Sequence, residues 1–233
     1  MQTNYEESTM GYTKMLEKSM SKNHKRLWTY FQKILPKIER EILIKGVKSK
    51  IKILDIGCGV GYGLTFFANH NYKKLFGIDI NKYSLKIAKE KCPKANFGYG
   101  DVYKIPFRSN EFDLVILTEV IEHLDDPQTA LKEIRRVLSP KGILFLTTPN
   151  RMGLMGLSNG PIKFFTNGYY YKSVLRVLGK LTCGPEHPKE YFAFELARIL
   201  RKQQFEVLCF PKFCYIPLFP AGKYYLIAQK ITV

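Results

Sequence analysis

The chain has 233 residues and carries 37 Lys and Arg against 20 Asp and Glu, a net charge of +17. That length accommodates one α/β domain with a modest appendage and hardly two such domains. A composition of 45% hydrophobic and 14% aromatic residues excludes a disordered chain and points to a folded soluble protein. The charge favours contact with anions, whether nucleic acid, an acidic membrane surface or a phosphorylated substrate, or else serves as a solvated surface.

The five cysteines, Cys58, Cys92, Cys183, Cys209 and Cys214, are odd in number and form no CxxC pair. They read as reduced thiols and not as a disulfide frame or a zinc site. The first residues, MQTNYEESTM, lack the basic-then-apolar pattern of a leader, and no apolar run reaches the ~18 residues of a membrane span. A cytoplasmic protein is expected, peripheral at a membrane if the charge acts there, with no obligate partner evident.

Residues 1–46 read as an N-terminal helical cap on a main domain over 47–233. Leu27, Tyr30, Phe31, Ile34, Leu35, Ile38 and Ile42 form one apolar helical stripe, which Pro36 is expected to kink or divide. The cap is either a lid that brings His24, Lys25 and Arg26 to an anionic group or an amphipathic helix packed on the sheet edge.

Ile51 to Gly63, IKILDIGCGVGYG, reads as a buried parallel strand running into a glycine-rich turn. Asp55 stands out, because a carboxylate there is costly to bury unless donors or a cationic ligand meet it. Gly57, Gly59, Gly61 and Gly63 remove side chains where the backbone must turn and let a ligand approach. A helix is expected over Leu64 to His70, then a second strand from Leu75 to Ile80.

Asp79, at the tip of that second strand and 20 residues beyond Gly59, is placed to accept both hydroxyls of a ribose. After a helix over Lys82 to Lys91, a third strand ends at Gly100-Asp101-Val102, where an acid and the next amide can hydrogen-bond an adenine edge. Phe112 to Leu117 is the fourth strand. Asp125, Asp126 and Pro127 signal a helix start, Gly142 is expected to stop that helix, and Ile143 to Thr147 is the fifth strand. From about 150 to 190 the α/β rhythm lapses into a lid-like insertion rich in Gly, Lys and aromatic residues. Phe164, Phe165, Tyr169, Tyr170 and Tyr171 could line an aromatic substrate pocket, touch a membrane interface or simply bury the insertion. A helix at Glu195 to Gln203 and strands at Phe205 to Phe210 and Tyr224 to Ile231 complete the pattern.

The dinucleotide fingerprint GxGxxG fails, since its last position falls on Tyr62 or Leu64. What stands is DxGxGxG, Asp55 to Gly61, which resembles the first motif of class I S-adenosylmethionine-dependent methyltransferases. The resemblance continues through Asp79, Gly100-Asp101 and FDLVILTEVIEHL, about residues 50 to 150. It implies a Rossmann-like α/β fold: a seven-stranded sheet of order 3-2-1-4-5-7-6, the last strand antiparallel, with helices on both faces.

On matching positions it implies S-adenosylmethionine as cofactor. Gly57, Gly59 and Gly61 would approach its methionine part, Asp55 would sit near its amino group, and Asp79 would hold the ribose. Ile80 would lie on the adenine face, Asp101 and Val102 would bind the adenine, and Glu119 would be a further cofactor contact.

EVIEHLDDPQTALKEIRRVLSPKGILFLTTPNR is similar to the corresponding stretch of polyprenyl-quinone O-methyltransferases. There an ExxEH pattern, here Glu119, Glu122 and His123, is associated with a divalent cation. A similar pattern with a later histidine occurs in small-RNA 2'-O-methyltransferases, and His187 is the candidate for that position. Two carboxylates with imidazole suit Mg, Mn or Zn, and such a cation would acidify a hydroxyl. Without metal, His123 or His187 could act as general base beside Glu122; helix-end hydrogen bonding of Glu122 and His123 is the structural alternative.

The sequence therefore points to methyl transfer onto a hydroxyl of a small molecule, lipid precursor or glycan. A metal-assisted RNA ribose methyltransferase and a non-catalytic cofactor-binding subunit are the alternatives.

Overall fold

Apolar runs bounded by glycine and acid make the strands, and amphipathic segments between them make the helices. The computed structural model describes residues 27–29, 31–42, 47–149, 191, 193–209 and 223–232. His24, Lys25, Arg26, the insertion at 150–190 with His187, and Cys183 and Cys214 lie outside the described residues.

In chain order the elements are α1 (residues 31–42), β1 (Lys52–Ile56), α2 (Tyr62–Asn69), β2 (Lys74–Asp79), α3 (Lys82–Lys91), β3 (Asn96–Tyr99) and β4 (Phe112–Thr118). There follow a 3-10 turn at Ile121–His123, α4 (Pro127–Val137), β5 (Leu138–Pro149), α5 (Ala193–Lys202), β6 (Phe205–Cys209) and β7 (Lys223–Lys230). The strands form one seven-stranded sheet of order β3-β2-β1-β4-β5-β7-β6. β1, β2 and β3 pair in parallel, and β7 runs antiparallel to β6. This is the expected Rossmann-like arrangement, with helices on both faces.

The chain divides into two compact units, one of residues 1–116 with 136–143, the other of 117–135 with 144–233. In the first, Ile53, Leu54, Leu75, Ile78, Leu114 and Val115 are buried to within 1%. Phe76, Phe107 and Phe112 meet edge to face at centroid distances of 4.9–5.7 Å. Asp113 ties strand starts together: Oδ2 accepts from the Lys52 amide (3.0 Å) and Oδ1 from the Ser139 hydroxyl (3.2 Å). Lys52, which breaks the apolar run of β1, reaches Glu111 at 3.1 Å.

The apolar stripe of α1 is buried, with Phe31, Ile34, Ile38 and Ile42 at 1% exposure or less. Phe31 packs on Phe66 and Phe67 of α2 (5.1 and 5.2 Å), and the Trp28 indole donates to the Tyr62 carbonyl at 3.2 Å. So these residues pack on the helix that follows the glycine turn. The helix runs through Pro36 undivided, so of the two expected effects the division does not occur. Proline removes a donor to the carbonyl of Gln32, but both residues are exposed, so water can satisfy that carbonyl.

In the second unit Leu144, Leu146, Leu196, Leu200, Phe205 and Leu226 are fully buried. Asp126 caps α4 as expected, its Oδ1 accepting from the amides of Gln128 (3.0 Å) and Thr129 (3.2 Å). These bonds, led by the Thr129 hydroxyl, hold its carboxyl below the ordinary value. Gly142 does not end that helix: α4 stops at Val137 and β5 begins at Leu138, so the glycine lies inside the strand. A Cβ there would stand 2.8 Å from the Ser139 carbonyl and 3.1 Å from that of Phe112, so close backbone approach explains the glycine.

Phe31→Ala should cost about 3–5 kcal/mol, the range for emptying a buried aromatic site. Urea unfolding measures it; a loss under 1 kcal/mol would mean that α1 is not part of the cooperative core.

Candidate functional site

In the first unit the tips of β1, β2 and β3 carry three acids around one glycine turn. Register aligns Asp55 with Gly77 and Asp79 with Tyr99, so Asp55, Gly77, Asp79, Phe97 and Tyr99 share a face of the sheet. Gly77 is bare there for a reason: its Cβ would lie 2.7 Å from the Phe97 ring and 3.0 Å from Cys58 Sγ.

The turn is held from below and from the side. Both the Gly57 and Cys58 amides donate to the Ile78 carbonyl, at 2.8 and 3.1 Å. Gly57, Gly59 and Gly61 all have positive φ (67°, 51° and 82°), the backbone region glycine enters without penalty. Asp79 Oδ2 accepts from the Gly59 amide at 2.8 Å, and Oδ1 from the Asn81 amide at 2.7 Å. Asn81 in turn caps α3, its Oδ1 accepting from Tyr83 and Ser84. A carboxylate offers about four acceptor positions, so Asp79 keeps acceptor capacity toward a ligand beyond the amides it already binds. Burial raises the Asp79 carboxyl above its ordinary value, against the opposing pull of the Asn81, Gly59 and Ile80 amides.

Asp55 is 2% exposed, and its Oδ1 is buried with no hydrogen-bond partner. Burial, then the charge of Asp79, pushes its carboxyl up to about 8. A Cβ at Gly63 would stand 2.6 Å from Asp55 Oδ2, so α2 can start where it does only because that position is bare. The Cys58 thiol is raised well above its usual range by burial first and then by the charges of Asp55 and Asp79, which makes it unreactive.

At the other tips, Ile80 is 67% and Tyr99 60% exposed, with Lys82 Nζ 5.9 Å above the Tyr99 ring. Asp101 is exposed and its Oδ1 accepts from the Tyr103 amide at 2.9 Å, while Val102 is buried at 7%. The structure thus gathers Asp55, Gly57, Gly59, Gly61, Asp79, Ile80, Asp101 and Val102 in one unit at adjacent strand ends.

In the second unit, the ExxEH residues separate. Glu119 sits just past β4 with φ 57°; its amide donates to the Thr147 carbonyl (3.1 Å) and its Oε1 accepts from the Thr147 hydroxyl (2.9 Å). Glu122 is fully buried, its Oε2 accepting from the Thr148 hydroxyl at 3.1 Å. His123 is exposed at the end of the 3-10 turn. Adjacent strand residues project to opposite faces, so Thr147 and Thr148 hold the two carboxylates on opposite sides of β5. Among the described residues no group of three or more His, Cys, Asp and Glu could hold a metal ion. Reasoning from sequence missed Thr147 and Thr148, whose signal was a pair of hydroxyls at a strand tip. Among the described residues no helix is long and apolar enough to cross a membrane.

Two outcomes are expected. Asp55 is raised in the folded chain, which therefore holds an extra proton between about pH 4 and 8 relative to the unfolded chain. Stability of the ligand-free protein should fall as pH rises through that window and level off above it. Urea midpoints across this range measure it, and Asp55→Asn should remove most of the slope, leaving the part of like sign from Asp79. Thr147→Val, which keeps shape and deletes the donor to Glu119, should cost about 1.5–3 kcal/mol, with Thr147→Ser restoring much of it; equal stability of all three would sink the Thr147–Glu119 link.

Residues 54–146 match the family described as methyltransferase domain. The chain is 27% identical over 155 residues to a probable S-adenosylmethionine-dependent methyltransferase of Mycolicibacterium smegmatis, covering 66% of this chain and 52% of that one. It is 28% identical over 170 residues to demethylmenaquinone methyltransferase of Staphylococcus aureus (70% and 68%). With cycloartenol-C-24-methyltransferase 1 of rice it shares 38% identity over 101 residues (41% and 29%). The chain thus spans about half or less of the length of several relatives it matches. Among solved structures it is similar to a methyltransferase of Methanosarcina mazei (TM-score 0.59, 21% identity, 82% of this chain and 98% of that one). It is similar also to the [4+2]-cyclase SpnF (TM-score 0.60, 17% identity, 86% and 81%). The fold is that of class I S-adenosylmethionine-dependent methyltransferases, and residues 54–146 carry the match to a methyltransferase domain.

Proposed function

We propose that the chain is an S-adenosylmethionine-dependent methyltransferase that acts on a hydroxyl of a small organic molecule, lipid-like in the first instance. The observation that carries this is the trio of acids at successive strand tips around a glycine turn, with Asp79 already bonded to that turn at Gly59. The donor set fits the cofactor: a buried acceptor without a partner at Asp55, bare backbone at the turn and a large exposed apolar side chain at Ile80.

When bound, S-adenosylmethionine supplies a methyl group on a cationic sulfonium. The chain's part is to hold and orient. Asp79 accepts from the two ribose hydroxyls with the capacity its amide bonds leave. Ile80 covers one adenine face, while Asp101 and the Val102 amide bind the adenine edge. Gly57, Gly59 and Gly61 let the methionine part lie against backbone, and Glu119 is a further contact to the cofactor.

On the acceptor side, His123, exposed at the end of its turn, or His187 takes the hydroxyl proton as general base, with Glu122 supporting. The name of the staphylococcal relative supports a quinone-like small-molecule acceptor, and the +17 charge supports docking at an anionic membrane surface of a cytoplasmic protein.

A second reading, metal-assisted 2'-O-methylation of RNA, is favoured by the same charge. It draws on Glu119, Glu122, His123 and His187. A third, a cofactor-binding subunit without turnover, is separated by experiment alone.

Incubation with methyl-labelled cofactor and fractionated extract, with and without chelator, should place label in the lipid or small-molecule fraction whether or not chelator is present. Label in RNA that disappears with chelator would favour the second reading, and cofactor binding with no label anywhere the third. Asp79→Ala, which removes two charged hydrogen bonds, should weaken cofactor binding by about 100-fold or more. Unchanged binding in equilibrium dialysis would overturn the site.

A further inference from the structure

Asp55 lies beneath the glycine turn on the sheet face it shares with Asp79, and the cofactor reading leaves one problem there. A carboxylate sealed from water with one oxygen lacking any donor is among the most expensive arrangements a core can hold. The turn contributes Cys58, a neutral thiol; β2 contributes Asp79, of like charge; α2 contributes Gly63, with no side chain, and α1 brings the apolar Phe31 ring near that glycine. The charge that acts on Asp55 is thus repulsive. The free chain relieves this by keeping Asp55 neutral.

S-adenosylmethionine, the ligand assigned under the proposed function, brings two cationic groups, an ammonium and a sulfonium. Only the ammonium carries N–H donors, and the Oδ1 atom of Asp55 lacks a donor as well as a countercharge. We propose that the ammonium end of the cofactor takes the place of a proton that Asp55 carries in the free chain, so that cofactor loading and proton release are one event. The balance is simple: the Asp55 carboxylic acid gives its proton to buffer, and the carboxylate left behind accepts an N–H from the ammonium. Because the demethylated product keeps the same ammonium, product and methyl donor should release the proton alike, and an analogue lacking the amino group should release none.

The test is isothermal titration calorimetry with S-adenosylhomocysteine near pH 6.5, in buffers of widely different ionisation enthalpy. At that pH the ligand's amino group is already protonated, so a released proton comes from the protein. The slope of observed enthalpy against buffer ionisation enthalpy should correspond to about one proton released per ligand bound. With Asp55→Asn, or with the des-amino analogue on the wild-type chain, the slope should fall to near zero. Binding of equal enthalpy in every buffer overturns the inference, as does an unchanged slope in Asp55→Asn or with the analogue. Should the variant fail to bind, the wild-type slope and the analogue still decide. No binding of either nucleoside in any buffer removes the proposed function, and the inference falls with it, an outcome distinct from binding without proton release.

Discussion

The Asp79 carboxylate is the joint on which the candidate site depends. One oxygen holds the Gly59 amide at the crest of the turn, the other holds Asn81, and Asn81 caps α3. A single side chain therefore fixes the turn after β1, the end of β2 and the entry to α3 at charge-assisted bonds under 3 Å. Those bonds orient a carboxylate that burial alone would disfavour, and they leave it acceptor capacity toward a ligand.

Behind that joint stands a cost that the fold does not offset by itself. Asp55 is buried, faces Asp79, and has an oxygen without a donor. Gly63 is bare so that the carboxyl can stay where it is. Structures keep such local conflicts chiefly where function uses them, and here a cationic ligand with N–H donors resolves both the missing donor and the missing charge.

Much of this was legible in the sequence because acids at strand ends and alternate glycines are costly choices with few structural uses. The element order followed from apolar runs and turn residues, and the strand order from the resemblance that the acids carried. Three features were not legible. Pro36 looked like a break, but its cost depends on whether the stranded carbonyl meets water, which a sequence does not display. Gly142 looked like a helix stop, whereas it answers the backbone of Ser139 and Phe112, a contact set by tertiary packing. The partners of the Glu119, Glu122, His123 pattern were not visible either: the left-handed Glu119 is bonded to Thr147 and Glu122 to Thr148, adjacent residues of β5.

Fold likeness alone does not choose the reaction, as similarity to a cyclase as well as to methyltransferases makes plain; the strand-tip acids carry the cofactor reading. The most direct measurement of that claim is a crystal structure with S-adenosylhomocysteine bound. The account predicts ribose hydroxyls on Asp79, adenine between Ile80 and the Asp101-Val102 backbone, and the amino group donating to Asp55. A nucleoside bound away from these three strand tips, or one whose amino group leaves Asp55 Oδ1 without a donor, would contradict it.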